Sequence, residues 1–399
     1  MDQQIENIPV QEKQASELSK NSQKKINIFV VIFDFLHALF FGFAFLGNSR
    51  NRKIVSILLL CLLFILIGIV VYSFIFGSSN TPKKLSETVQ NTVIVSPTPF
   101  PFIELTVPYL REREYKSSLG EREVYANNSN YTSYLTSYDS DGLKVNALLT
   151  IPTGERPEKG FPAIIFVHGY IPPTQYQTTE NYASYVDYLA RNGFVVLKID
   201  LRGHGDSEGE PGGGYFGSDY IVDTLNARAA LQGSDFVNPD AIGLWGHSMA
   251  GNILLRSMVS QPDIPAIVIW AGAVYTYMDM QTYRINDNSY RPPTTVTTTQ
   301  RKRQALMQRY GSPSATSEFW KQVIPTNYLS DIKGAIQLNH AVNDDVVDIR
   351  YSRDLTELLD KTSVPHELWE YATGGHNIDG ASFVQAMNHT VEFFTKYLK

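Results

Sequence analysis

Cysteine is almost missing from this chain. The single thiol, Cys61, lies inside an uninterrupted apolar run, so no intramolecular disulfide and no cysteine-based metal site can be built. Positive charge is not in surplus either: 34 Lys and Arg against 40 Asp and Glu leave a net charge of −6, and the basic residues gather near the hydrophobic N-terminal segment. Without a broad cationic field to grip phosphates, nucleic acid is not expected as a partner. No H-E-x-x-H or comparable ligand spacing occurs, so neither a metal nor another cofactor is expected. No internal repeat is apparent.

Apolar side chains, by contrast, are concentrated early. Residues 54–76 form 23 positions without a charge, broken only by Ser56, Gly68, Tyr72 and Ser73, which is long enough to cross a bilayer as one helix. Arg50, Arg52 and Lys53 stand directly before this run and only Lys83 and Lys84 follow closely. The positive-inside bias therefore places the 50–53 side in the cytoplasm and everything after residue 76 outside it. Residues 1–25 then read as a cytoplasmic tail. Residues 26–47 are rich in Phe, Val and Leu but carry Asp34 and His37. Two readings stay open for them, a second span or a helix lying in the interface; Lys20, Lys24 and Lys25 favour a single span. From 77 to 103 the composition turns to Ser, Thr, Asn and Pro, including Ser96-Pro97-Thr98-Pro99-Phe100-Pro101, an extended stalk. The expected location is the cell membrane, single-pass, with residues 104–399 extracytoplasmic.

Within 104–399 short apolar runs alternate with helix-like stretches. Leu143 to Ile151, Ala163 to Val167, Phe194 to Ile199, Ile242 to Trp245 and Ala266 to Trp270 read as strands, with Tyr182 to Asn192 and Gly251 to Val259 as helices. Such alternation predicts an α/β domain, a mostly parallel sheet covered by helices on both faces. Catalytic loops then belong at the carboxyl ends of the strands.

One of those ends carries Gly246-His247-Ser248-Met249-Ala250-Gly251, directly after the strand Ile242-Gly243-Leu244-Trp245. A serine held in a sharp strand-to-helix turn needs small neighbours two positions away on either side, and Gly246 and Ala250 meet that demand. Ser248 is therefore the candidate nucleophile. Beyond a second strand, Ala335 to His340, lie Asp344 and Asp345, of which Asp344 is preferred as the acid that orients a histidine while Asp345 caps the following helix. His376, after the strand His366 to Tyr371 and the pair Gly374-Gly375, is the candidate base; His366, His389, His37 and His247 are assigned other places. Backbone N–H groups of Met249 and of Tyr170, in His168-Gly169-Tyr170, are the expected oxyanion donors.

With these residues in view, the region from Tyr134 to Lys399 resembles the α/β-hydrolase superfamily, in particular prolyl-oligopeptidase-type serine peptidases and dienelactone-hydrolase-like enzymes. The resemblance rests on Ser137 to Val145, on Asp200-Leu201-Arg202-Gly203-His204-Gly205, on Asn343-Asp344-Asp345, on Gly375-His376 and on the Ser248 turn. It implies the α/β-hydrolase fold and, joined to the expected anchor at 54–76, a membrane-anchored serine hydrolase that cleaves a peptide or acyl-ester substrate through an acyl-enzyme. An esterase without peptidase activity and a catalytically silent binding module are the alternatives. Asp200, Arg202 and His204 are expected to form a structural loop beside the site. Residues 274–329, with Tyr275, Tyr277, Tyr283, Tyr290, Phe319 and Trp320, read as a small cap insertion whose aromatics either wall the substrate pocket or pack a subdomain.

Overall fold

In the computed structural model the described residues are 101–212, 214–287 and 297–399. The expected tail at 1–25, the apolar segments 26–47 and 54–76, and the stalk up to residue 100 lie outside them. Among the described residues no helix is long and apolar enough to cross a membrane.

In chain order the regular elements are α1 (Val107–Glu112), β1 (Glu123–Asn127), β2 (Tyr131–Ser140), β3 (Leu143–Pro152), β4 (Phe161–Val167), α2 (Ala183–Arg191), β5 (Val195–Ile199), α3 (Asp219–Gln232) and β6 (Val237–His247). They continue with α4 (Ala250–Ser260), β7 (Ala266–Trp270), α5 (Asp279–Tyr283), α6 (Thr298–Tyr310), α7 (Glu318–Val323), β8 (Ala335–Ala341), α8 (Arg350–Leu359), β9 (His366–Tyr371) and α9 (Ala381–Leu398). Nine strands make one sheet in the order β1-β2-β3-β5-β4-β6-β7-β8-β9. The first three pair antiparallel, and from β5 to β9 every pairing is parallel. This is the α/β-hydrolase fold.

The central strands read as unbroken apolar runs because both of their faces are covered. In β4, Ala163, Ile165 and Val167 join one core cluster while Ile164 and Phe166 join the other. Helices α3 and α4 close the first face with Leu225, Ile253 and Leu254; α2 and α9 close the second with Leu189, Phe393 and Phe394.

The stretch between β7 and β8 decides between the two readings of its aromatics. Tyr275, Tyr277, Phe319 and Trp320 do not wall a substrate pocket but are buried in the first core cluster, where Tyr277 and Trp320 both meet the Phe216 ring edge-on. The Tyr283 hydroxyl donates to Asp354 across to α8, and Tyr290 lies outside the described residues. An aromatic ring gains most by full burial, and the first core cluster offers it.

Candidate active site

β6 runs without a break into α4, and the single residue that turns the chain is Ser248, with φ +57°. A non-glycine residue in the left-handed region is strained, and the surroundings hold it there: Ser248 N–H donates to the Trp270 carbonyl at 2.9 Å and Gly251 N–H to the Ser248 carbonyl at 2.9 Å. The turn is tight enough that a Cβ on Gly246 would stand 2.8 Å from the Ala250 methyl and from Leu254. Glycine at 246 is what leaves room for alanine at 250.

Three loops bring the polar groups to this turn. His376 Nε2 lies 2.9 Å from Ser248 Oγ, and His376 Nδ1 lies 2.8 Å from Asp344 Oδ2. Asp344 follows β8 and its side chain is fully enclosed, with Oδ1 accepting the Val346 and Val347 N–H groups at 2.9 Å each. Burial by itself would raise this carboxyl; hydrogen bonds from His340 and His376 outweigh it and hold the group well below the usual carboxylate range. An ionised carboxylate can only accept, so the His376 proton sits on Nδ1 and the Nε2 lone pair faces the serine. The neighbouring Asp345 is exposed and takes no part. His376 itself rides on a short 3-10 turn, Gly375–Asn377, tied down by Gly375 N–H to Asn343 Oδ1 at 3.0 Å and by the Tyr185 hydroxyl to the Asn377 carbonyl at 2.9 Å.

Because β4 pairs with β6, the loop after β4 lies beside the Ser248 turn. Tyr170 lines the same cavity as Ser248, and Met249 is the N-cap residue of α4. The Gly169 carbonyl accepts from His168 Nδ1 at 2.7 Å, which directs the Tyr170 N–H the opposite way, since a trans peptide sets the two groups antiparallel. Gly169 cannot be larger: a Cβ would meet the Tyr182 hydroxyl at 2.9 Å and His247 Nδ1 at 3.1 Å. The cavity has a volume of about 390 Å³ and is lined by Tyr170, Tyr182, His247, Ser248, Val346 and His376, among others. A larger groove of about 1370 Å³, between Glu121 to Tyr125 of the antiparallel edge and the loop Pro173 to Glu180, contains none of these catalytic candidates.

The remaining candidates fall elsewhere. Arg202 makes a buried ion pair with Asp223, and Asp200 accepts from Tyr176 at 2.8 Å and Thr178 at 2.5 Å, so the 200–205 loop is braced rather than directed at the serine. His366 bonds the Val364 carbonyl and Asp360, and His389 stacks on Trp369. Two residues escaped the reading of the sequence. His340, at the end of β8, reaches Asp344 Oδ2 at 3.2 Å; its only signal is a histidine four residues before the candidate carboxylate. Tyr182 meets His247 Nδ1 at 2.8 Å across 65 residues, and no local pattern announces such a pairing.

A family model described as Serine aminopeptidase, S33 matches residues 161–379. The quorum-quenching protein AidA of Acinetobacter baumannii is 26% identical over 131 residues, covering 33% of this chain and 41% of AidA. The chain spans less than half the length of the curated relatives it matches. Among solved structures, a puromycin-hydrolyzing peptidase of Mycobacterium tuberculosis superposes with TM-score 0.53 at 19% identity, over 68% of this chain and 40% of that one. Acetyl xylan esterase 1 of Thermoanaerobacterium does so with TM-score 0.51 at 18% identity, over 73% of this chain and 91% of that one. At such identities the likeness is one of fold. The family match is broader in meaning: because it takes in more than half of the 399 residues, from the first residue of β4 to beyond His376, the chain belongs to the serine aminopeptidase S33 family and is a serine hydrolase.

Proposed function

We propose that this protein cleaves a peptide or ester bond by acyl transfer to Ser248, with His376 as general base and acid and Asp344 as its orienting carboxylate. The observation that carries the reading is the unbroken series from Ser248 Oγ to His376 Nε2 at 2.9 Å and from His376 Nδ1 to Asp344 Oδ2 at 2.8 Å. His376 Nε2 takes the serine proton as Oγ attacks the substrate carbonyl carbon. The resulting oxyanion is met by the N–H groups of Tyr170 and Met249, and His376 then returns the proton to the leaving amine or alcohol. Water repeats the sequence to release the acid. Asp344 stays ionised throughout and stabilises the imidazolium.

The peptidase reading draws on the resemblance to prolyl-oligopeptidase-type domains, and the description of the matched family supports it. An ester is chemically the easier substrate, because an alkoxide leaves more readily than an amine. The anchor at 54–76, with the hydrolase outside the cytoplasm, belongs to the same proposal. A fluorophosphonate probe is expected to label the wild-type chain and not Ser248→Ala, with kcat on an activated ester falling by about 10⁴-fold or more. Equal labelling of both would remove Ser248 from its role. Matched amide and ester substrates then divide the two activities: turnover of the ester alone sinks the peptidase reading.

A further inference from the structure

His247 precedes the nucleophile and is nearly enclosed, yet its two ring nitrogens reach two different loops. Nε2 is 2.8 Å from the backbone carbonyl of His376, and Nδ1 is 2.8 Å from the Tyr182 hydroxyl. The Tyr182 oxygen in turn accepts the Gly169 N–H at 3.1 Å. A carbonyl can only accept, so the ring proton is on Nε2; Nδ1 must then accept from the Tyr182 hydroxyl, whose oxygen still has a lone pair for the amide. Every proton in the series has one consistent place. Burial, reinforced by the neighbouring His376, lowers His247 to about 3, so the ring stays neutral and this order is kept at neutral pH. Tyr182 pays for its position with a left-handed backbone, φ +61°, at the start of α2.

We propose that His247 and Tyr182 are positioning residues for the acyl-transfer reaction: they form a clamp that joins the loop carrying the oxyanion donor Tyr170 to the turn carrying the base His376. Tyr182 fixes the peptide before Gly169, one residue ahead of the Tyr170 amide, and His247 holds the His376 main chain from beneath, with the two imidazoles 4.5 Å apart. Neither residue needs to touch the reacting atoms. The inference rests on the Ser248 mechanism proposed above, and loss of that mechanism would show separately, in Ser248→Ala.

The test uses the full chain and an activated acyl ester, with Tyr182→Phe, His247→Leu, His247→Gln and the double variant Tyr182→Phe/His247→Leu. Misplacing catalytic groups by a fraction of an ångström to an ångström lowers rate rather than binding, so Tyr182→Phe is expected to lower kcat by about 10- to 100-fold with KM nearly unchanged. Its fluorophosphonate labelling should slow by the same factor. If the two side chains act as one unit, the double variant loses about as much as the worse single one. His247→Gln, which keeps a donor near the Nε2 position, should recover part of what His247→Leu loses, and this comparison decides the matter if Tyr182→Phe does not fold. A Tyr182→Phe enzyme with more than half of the wild-type kcat, an effect confined to KM, multiplicative losses in the double variant, or His247→Gln no better than His247→Leu would each overturn the clamp, provided Ser248→Ala is unlabelled.

Discussion

The Asp344 carboxylate receives four donors: His376 Nδ1 at 2.8 Å and His340 Nε2 at 3.2 Å on Oδ2, and the amides of Val346 and Val347 on Oδ1. Replacing it by asparagine keeps the shape but turns a donor or a weaker acceptor toward His376, favouring the wrong tautomer. Asp344→Asn is expected to lower kcat by about 10⁴-fold while the protein remains folded, measured by ester turnover beside circular dichroism. His340 contributes from behind, with Nδ1 accepting from Ser352 at 2.7 Å. His340→Leu removes a donor to a buried charge and leaves the Ser352 hydroxyl without this partner, so stability should fall by about 1.5–3 kcal/mol. An unchanged urea midpoint would contradict that account. At this scale Ser248, Asp344 and His376 were legible because each sits in a recognisable local setting, a small-residue turn or a loop just past an expected strand. Tyr182 was not, since what defines it is a partner 65 residues away, and His340 was not, since a histidine four residues before a carboxylate is no distinctive pattern.

Among the elements, the central strands and helices α2 and α4 were legible from apolar runs and their alternation, with ends displaced by up to five residues, whereas α3 was not. β1 was not: its residues are largely exposed and show no apolar pattern, because an edge strand at the antiparallel end is covered on neither face. The joint between the loop after β5 and α3 depends on a buried ion pair. Asp223, fully enclosed, accepts from Arg202 Nε at 3.0 Å and Nη2 at 2.6 Å and from Ser140 Oγ at 2.6 Å. Removing one partner strands the other charge, so Asp223→Ala should cost about 3–5 kcal/mol and lower Tm. A Tm within a degree of wild type, about 0.6 kcal/mol or less for a domain of this size, would show that water reaches Arg202.

For the molecule as a whole, burial sets the response to acid. His168 and His247 are lowered to about 3 and His204 to about 4, in each case by burial first. All three are neutral in the fold and take up a proton near pH 6.5 once unfolded. A depressed histidine therefore adds stability that is complete above pH 6.5 and is lost as pH falls toward its folded value. Asp200, raised to about 6 by burial, works in the opposite sense between about pH 4 and 6. Among these four groups, three imidazoles against one carboxyl leave a net of about two protons, roughly 3 kcal/mol per pH unit in the steepest part of that window, offset in part by Asp223 and Asp279, which burial also raises. All four tryptophans, Trp245, Trp270, Trp320 and Trp369, lie in the hydrolase fold, so urea midpoints followed by their fluorescence between pH 7 and 4.5 measure it directly. A flat profile would mean that these rings are hydrated. The proposed anchor has its own test: alkaline carbonate is expected to leave the full chain in the membrane fraction and to release a chain lacking 54–76, whereas release of both would end the transmembrane reading.

Local sequence determined the alternation of strand and helix, the serine turn with Gly246 and Ala250 on either side, and the carboxylate and imidazole waiting beyond β8 and β9, because each depends on neighbours within a few positions. Which strands lie side by side, and hence that the loop after β4 meets the turn after β6, was decided only by the tertiary structure. So were the burial that neutralises His247, the His376 hydrogen bond that helps keep Asp344 ionised, and the entry of Tyr275, Tyr277, Phe319 and Trp320 into the core. These are energies of contact and desolvation between residues far apart along the chain, and a linear reading carries no distance between them.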